Sequence, residues 1–275
     1  MTKFKKYSEQ QFATYLDNLG LYWEYERDWE GKNPDFTIYS DISKKRIVAI
    51  AEIKEIDHTK GEKEILKKTN FLSRSGHPNT SERKKIHEVR EQFKVVRNYP
   101  CLLIIKDLTA PPKPPILTLA SMLGDLSISF PVRVPGKKPV GKTFNFFGKQ
   151  GKMIDQKGNR KQNTTITAIG YIETIKPDVI RSGFDKMMPK IIKEIGGVSD
   201  EAHTNLYLEK AQKLENRLTK KGFDLDKTAI GVSFTLNPFR KKRFPRSFFA
   251  NKYSRIFRYS PSKSRILLDY DWSKV

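Results

Sequence analysis

Asp35, Glu52 and Lys54 have the types and spacing to hold a divalent cation and to neutralise negative charge as it develops. Two carboxylates supply hard oxygen donors, and Mg2+ keeps several of its waters, so a pair of acids is enough to bind it. An ammonium beside them can orient or help deprotonate an attacking water and can stabilise charge on a reacting phosphorus centre. Two short apolar runs must bring these groups together. Asp35 opens the run Phe36-Thr37-Ile38-Tyr39, and Glu52-Ile53-Lys54 ends the run that starts at Ile47. Both runs read as strands, rich in β-branched and aromatic residues and joined by a polar turn. Strand side chains alternate, so Glu52 and Lys54 share one face, and pairing of the runs as a hairpin brings Asp35 towards Glu52. An unpaired acid at Glu52 would be costly at the end of so apolar a run.

The elements around them give an α/β order. Ser8-Glu9-Gln10-Gln11 has the form of a capping box, predicting a helix from Ser8 to about Leu19, ended by Gly20. Its stripe is Phe12, Tyr15, Leu16 and Leu19, and Glu9 lies on or beside it. A first strand is expected over Leu21–Trp29, and a lysine-rich mobile loop over Asp57–Ser81. A helix follows over Ser81–Asn98, then a strand over Cys101–Lys106. The proline run 111–115 excludes helix and central strand. A strand over Thr164–Ile175, helices over Pro177–Ile195 and Asp200–Lys221, and a strand over Thr228–Phe234 complete the coarse pattern. The expected division is a core over 1–108 and a basic α+β extension over 109–275, packed on the core or forming a second region.

The net charge of +22, from 53 Lys and Arg against 31 Asp and Glu, points to a polyanionic partner, most simply nucleic acid. No long apolar run or basic amphipathic helix favours a membrane instead. The single cysteine, Cys101, lies in an apolar run and reads as a core residue, and with no apolar segment after Lys6 a reducing cytoplasm is expected. His58, His77, His87 and His203 lack metal-ligand spacing. Two stretches concentrate cations. Arg133–Lys161 has Asp155 as its only acid and offers Lys137, Lys138 and Lys142 to phosphates. Asn237–Arg265 has no acid and offers Arg240, Lys241, Lys242, Arg243 and Arg246. Among the aromatics interleaved there, Phe248, Phe249 and Phe257 are expected to be core residues.

Pro34-Asp35 followed by Glu52-Ile53-Lys54 resembles the signature of the PD-(D/E)xK nuclease superfamily, and the order α-β-β-β-α-β up to the Cys101 strand is similar to that family's restriction-endonuclease-like core with its mixed sheet. The resemblance covers roughly the first third to two-fifths of the chain. It implies a metal-dependent nuclease, endonuclease or exonuclease, with DNA expected as the substrate ahead of RNA, and with Mg2+ or in its place Mn2+. Asp35 and Glu52 would be metal ligands, Lys54 the catalytic lysine, Glu9 the helix acid that many members add to the metal shell, and Gln92 the polar residue some members send towards the site. Members often act as dimers or within larger assemblies, including restriction and defence systems.

Two other readings compete. The chain could bind nucleic acid on a nuclease fold without cutting it. Alternatively, Gly136-Lys137-Lys138-Pro139-Val140-Gly141-Lys142-Thr143 fits the nucleotide-binding loop pattern, which works only between a strand and a helix. The following Phe144–Gly151 is glycine-broken and poor helix material, so the stretch reads as a basic loop.

Overall fold

The computed structural model describes residues 3–69, 80–109, 115–124, 126–129, 143–146, 151–153, 162–197, 201–260 and 265–268. In chain order the first elements are α1 (Tyr7–Asn18), β1 (Tyr22–Tyr25), β2 (Phe36–Tyr39), β3 (Ile47–Ile56), α2 (Lys60–Thr69), α3 (Thr80–Phe93) and β4 (Cys101–Asp107). Then come α4 (Pro115–Leu123), β5 (Leu126–Ser129), β6 (Thr143–Phe146), β7 (Ile166–Ile175), α5 (Pro177–Ser182), α6 (Phe184–Glu194), α7 (Glu201–Lys220), β8 (Ala229–Leu236), α8 (Arg246–Phe249), β9 (Ser254–Ser260) and β10 (Arg265–Leu268). The protein is α/β with a mixed sheet. Eight strands join it in the order β1-β2-β3-β4-β7-β8-β9-β10, while β5 and β6 form a separate hairpin. The strands β3, β4 and β7 run parallel, β1 and β2 lie antiparallel on one side, and β8 returns antiparallel to β7 on the other. Strands β7 to β10 thus extend the sheet begun before residue 108.

Alternation along the central strands sorts the core into two layers. Leu102 and Ile104 of β4 face one side with Phe12, Tyr15 and Leu16 of α1 and Phe249 of α8. Cys101, Leu103 and Ile105 face the other with Ile86, Val89 and Phe93 of α3 and Leu119, Met122 and Leu123 of α4. Large apolar side chains removed from water in this way contribute about 1.5–3 kcal/mol each. Of the C-terminal aromatics expected in the core, Phe249 is fully buried, its ring 6.5 Å from that of Tyr15 and 5.3 Å from that of Phe234, while Phe248 packs half-buried against the same layer and Phe257 is half-buried outside it. Close packing of the layers needs glycine, as at Gly170. A Cβ on Gly170 of β7 would meet Ile104 Cδ1 and Val232 Cγ1 at 2.8 Å, so the sheet packs that closely only where a side chain is missing. Cys101 is buried, and burial alone pushes its thiol up to about 12, as befits a core residue.

Several elements differ from their sequence pattern. Helix α1 begins at Tyr7, and its N-terminal donors are capped by Glu9, not by Ser8. Ser8 is buried in the first turn, and its hydroxyl donates to Glu55 at 2.7 Å. The first strand is only Tyr22–Tyr25. The lysine-rich segment expected as a loop contains α2, which starts from a reciprocal capping box: Thr59 N–H donates to Glu62 at 2.7 Å and Glu62 N–H to Thr59 Oγ1 at 3.3 Å. The single helix expected over Pro177–Ile195 is two, α5 and α6, broken at Gly183, whose φ of 71° lies in the left-handed region. Thr143–Phe146, after the nucleotide-loop pattern, is a strand, so the helix that such a loop requires does not follow it. Lys137, Lys138 and Lys142 lie outside the described residues. No helix among the described residues is long and apolar enough to cross a membrane.

Candidate active site

Asp35 and Glu52 meet where the β2–β3 ladder ends. Their neighbours Phe36 and Ala51 are register partners, so the next pair outward is Asp35 against Glu52. Each acid closes the ladder by taking a backbone donor from the other strand. Asp35 Oδ2 accepts the Ile53 N–H at 2.6 Å, and Glu52 Oε2 accepts the Asp35 N–H at 3.2 Å. The reciprocal arrangement fixes both carboxylates with main-chain geometry and keeps them side by side. Both are buried, Asp35 at 9% and Glu52 at 3% exposure.

Two buried like charges repel, and burial disfavours each of them. Burial first, and then the Glu52 charge, push the Asp35 carboxyl up from its ordinary value to about 7, against the Ile53 hydrogen bond that pulls it down. The pair is therefore short of positive charge. Lys54 supplies part of it, since its ammonium lies 2.7 Å from Glu52 Oε1 on the same strand face. Burial pulls Lys54 down, but its bond to Glu52, with the charges of Glu52 and Asp35, outweighs burial and leaves the group above its ordinary value. In this state Lys54 is a cation and a hydrogen-bond donor, not a base.

A cavity of about 530 Å³ opens onto the acids. Glu9 from α1, Asp35 and Glu52 from the strands and Gln92 from α3 all line it, so the two helical layers and the sheet converge there. Gln92 brings a buried carbonyl oxygen, Oε1, that has no hydrogen-bond partner. Such an atom is expensive to leave unmatched and is a natural ligand position. Glu9 is engaged differently. Its Oε2 accepts the Lys5 N–H at 2.9 Å, the Lys6 N–H at 3.1 Å and the Tyr25 hydroxyl at 2.6 Å. Burial and then Glu9 push the Tyr25 phenol up, so it remains a donor. Among the described residues no group of three or more His, Cys, Asp or Glu side chains is gathered as a metal cage. The available oxygens are the Asp35 and Glu52 carboxylates and the Gln92 amide, all hard donors suited to Mg2+ or Mn2+, for which one or two carboxylates suffice.

Lys5, Lys6 and Lys32 also line the cavity, with Glu26 and Asn33, and the sequence reading does not single them out. Lys5 and Lys6 had a signal, being cations three and four positions before Glu9 next to a helix start. Lys32 and Asn33 adjoin Pro34-Asp35 but are ordinary turn residues by type. Glu26 sits at φ 50°, a left-handed position rare for a residue with a side chain, its N–H on the Asp35 carbonyl at 3.0 Å and its carboxylate paired with Lys5.

Arg240, Lys241, Lys242, Arg243 and Arg246 are placed elsewhere. Strand β8 ends beside the start of β7, with Asn237 N–H on the Thr167 carbonyl and Lys241 N–H on the Thr164 carbonyl, both at 3.0 Å. That is the sheet edge where β3 begins, whereas Glu52 lies five residues along β3, and β8 is three strands from β3. Strand spacings put this basic stretch roughly 20 Å from the acids. None of its cations lines the acid cavity. Compared with protein-family models, with curated proteins and with solved structures, the chain matches none of them.

Proposed function

We propose that the protein is a divalent-cation-dependent nuclease with its reaction centre at Asp35, Glu52 and Lys54. The observation that carries the reading is the buried acid pair. Two carboxylates are held together by each other's strand backbone, with one of them raised to about 7, and they face an open cavity that Gln92 also lines. A purely structural acid pair would be closed by donors. This one is left for a cation. The resemblance of Pro34-Asp35…Glu52-Ile53-Lys54 to the PD-(D/E)xK signature, and the α-β-β-β-α-β order with α2 added, support a restriction-endonuclease-like core and DNA as the substrate.

In this reading Asp35 and Glu52 hold Mg2+ or Mn2+, and Gln92 orients a metal-bound or attacking water. A bound divalent cation supplies Lewis-acid polarisation of the phosphate and a water of lowered pKa. Lys54, kept protonated by Glu52, donates charge to the phosphorus centre as negative charge accumulates. Glu9 positions Lys5 and Lys6 by binding their backbone N–H groups, and these lysines and Lys32 attract the phosphates flanking the scissile bond. The distant stretch Arg240–Arg246 grips backbone about 20 Å away, which suits an extended substrate.

The test is Mg2+-dependent cutting of plasmid, linear duplex and single-stranded DNA and of RNA by pure protein, with Glu52→Gln and Lys54→Ala as controls. Cutting that both variants retain in full overturns the assignment. The engagement of Glu9 by the Lys5 and Lys6 N–H groups and the Tyr25 hydroxyl favours a second reading: a nucleic-acid-binding protein that does not cut. It predicts salt-dependent binding of these substrates and cleavage of none.

A further inference from the structure

A second cavity, of about 600 Å³, adjoins the first, and Lys5 and Lys6 line both. Its character is different. Where the first sets acids against its lysines, the lining of this one sets three lysines, Lys3, Lys5 and Lys6, around aromatic rings with no acid. Phe4 and Trp23, with ring centroids 5.8 Å apart, form a rigid floor because Phe4 also packs on Tyr25 and Phe36. Tyr7 is another matter. It opens α1 and is 70% exposed, and among the described residues it makes no hydrogen bond or ring contact. A single exposed aromatic is ordinary on a protein surface. One set among three cations, in a cavity that shares Lys5 and Lys6 with the proposed reaction centre, has the composition of a nucleotide subsite: cations for the backbone and a ring for a base.

We propose that this cavity takes an unpaired base of a single-stranded nucleic acid, stacked on Tyr7, with Lys3, Lys5 and Lys6 on the phosphates that lead into the acid cavity. The proposal rests on the nuclease reading and deepens it by naming the substrate class as single strands or unpaired ends. A base inside a duplex is stacked on both faces and cannot offer one to Tyr7 without being unstacked first. Every base has a π-face, so the subsite selects single-strandedness more than sequence. The wall shared through Lys5 and Lys6 puts the stacked base next to the phosphate at the acids.

The experiment measures binding of a short thymidine oligonucleotide carrying one 2-aminopurine, whose emission reports stacking. The oligonucleotide is used single-stranded and annealed, in the Glu52→Gln background so that nothing is cut. Tyr7→Ala should weaken single-strand binding on the order of 10-fold and remove the emission change, while Tyr7→Phe, which keeps the ring, should retain both. Tyr7 is exposed, so both variants should melt with the parent. Equal affinity and emission for Tyr7→Ala and the parent overturns the proposal, as does equal weakening by both variants or an equal loss on duplex. The two readings fail separately. Tyr7-dependent stacking in a protein that cuts nothing removes the nuclease reading and leaves the subsite. Metal-dependent cutting with no role for Tyr7 removes the subsite and leaves the nuclease.

Discussion

Glu52 and Glu82 are both buried carboxylates beside the central strands, and the difference between them separates a site from a core. Glu82, in the first turn of α3, is fully buried; Ser121 Oγ donates to it at 2.8 Å and the Tyr171 hydroxyl donates to its other oxygen. Burial and then the Glu82 charge push the Tyr171 phenol well up, so it remains a donor. This acid has hydroxyl partners and lines neither of the two cavities described above. Glu52 instead faces another acid, holds one ammonium, Lys54, and opens on a cavity of about 530 Å³. Burial by itself therefore marks nothing. What marks the site is burial combined with an unfinished charge balance and room for the missing partner.

The comparison breaks most visibly at Glu52 and Lys54. Glu52→Gln and Lys54→Ala should each lower Mg2+-dependent cleavage by about 10³-fold or more while leaving the circular dichroism of the fold intact. Plasmid nicking at saturating metal measures it, and rates near the parent's would place Glu52 in the same structural class as Glu82. The complementary change is Tyr171→Phe. Removing a donor from a buried carboxylate should cost about 1.5–3 kcal/mol in urea unfolding and should leave cleavage per folded molecule unchanged. If stability is unaltered, Glu82 is not held by that donor.

Asp35 sharpens the contrast through pH. In the folded protein it keeps its proton up to about 7, and in the unfolded chain only to its ordinary value of 3.8. Between those values the folded state binds more protons, so this group makes stability fall as pH rises. Asp35→Asn removes the repulsion. The variant should exceed the parent by about 1–3 kcal/mol at pH 8, less than the full shift would give because water and counter-ions enter the cavity, and by little below pH 4. Unfolding midpoints across pH test this. Mg2+ should stabilise the parent increasingly as pH rises through about 7, when cation and proton compete for Asp35, and should do little for the variant. A parent that gains stability between pH 5 and 8 relative to Asp35→Asn contradicts it.

The acids and their lysine were legible in the sequence because a strand hairpin converts short spacing directly into neighbourhood. Phe36–Tyr39 and Ile47–Ile56 are apolar enough to be strands, and the period of two then places Glu52 and Lys54 together. Helix starts were less legible. Ser8-x-x-Gln11 and Thr59-x-x-Glu62 have the same form, but only the second caps its helix, since α1 already starts at Tyr7 and the Ser8 hydroxyl is spent on Glu55. Helix α2 was missed because Lys60–Thr69 is polar around most of its circumference and leaves no apolar period to read. The remoteness of Arg240–Arg246 from the acids could not be read at all. It depends on β8 running back to the edge where β3 starts, which is a matter of strand order and direction. The same holds for the meeting of Lys5, Lys6 and Lys32 around one cavity.

The smallest expected effect tests the most particular claim, that an unmatched polar atom belongs to a ligand. Gln92 lines the cavity of the acid pair, and its Oε1 is buried without a hydrogen-bond partner. If the oxygen is a packing defect, Gln92→Leu removes a costly group, so stability should rise by up to about 1 kcal/mol with cleavage unchanged. If the oxygen serves a metal-bound or attacking water, the same substitution should lower cleavage several-fold and raise the Mg2+ concentration needed for half-maximal rate, with stability of the metal-free protein level or slightly higher. Titrating Mg2+ in cleavage assays and melting both proteins without metal separates the cases, because a folding defect would lower both rate and melting temperature. Gln92→Glu adds a third carboxylate to the cavity. It should bring the half-maximal Mg2+ concentration below the parent's while destabilising the metal-free fold at pH 8, since one more negative charge joins a pair that already repels.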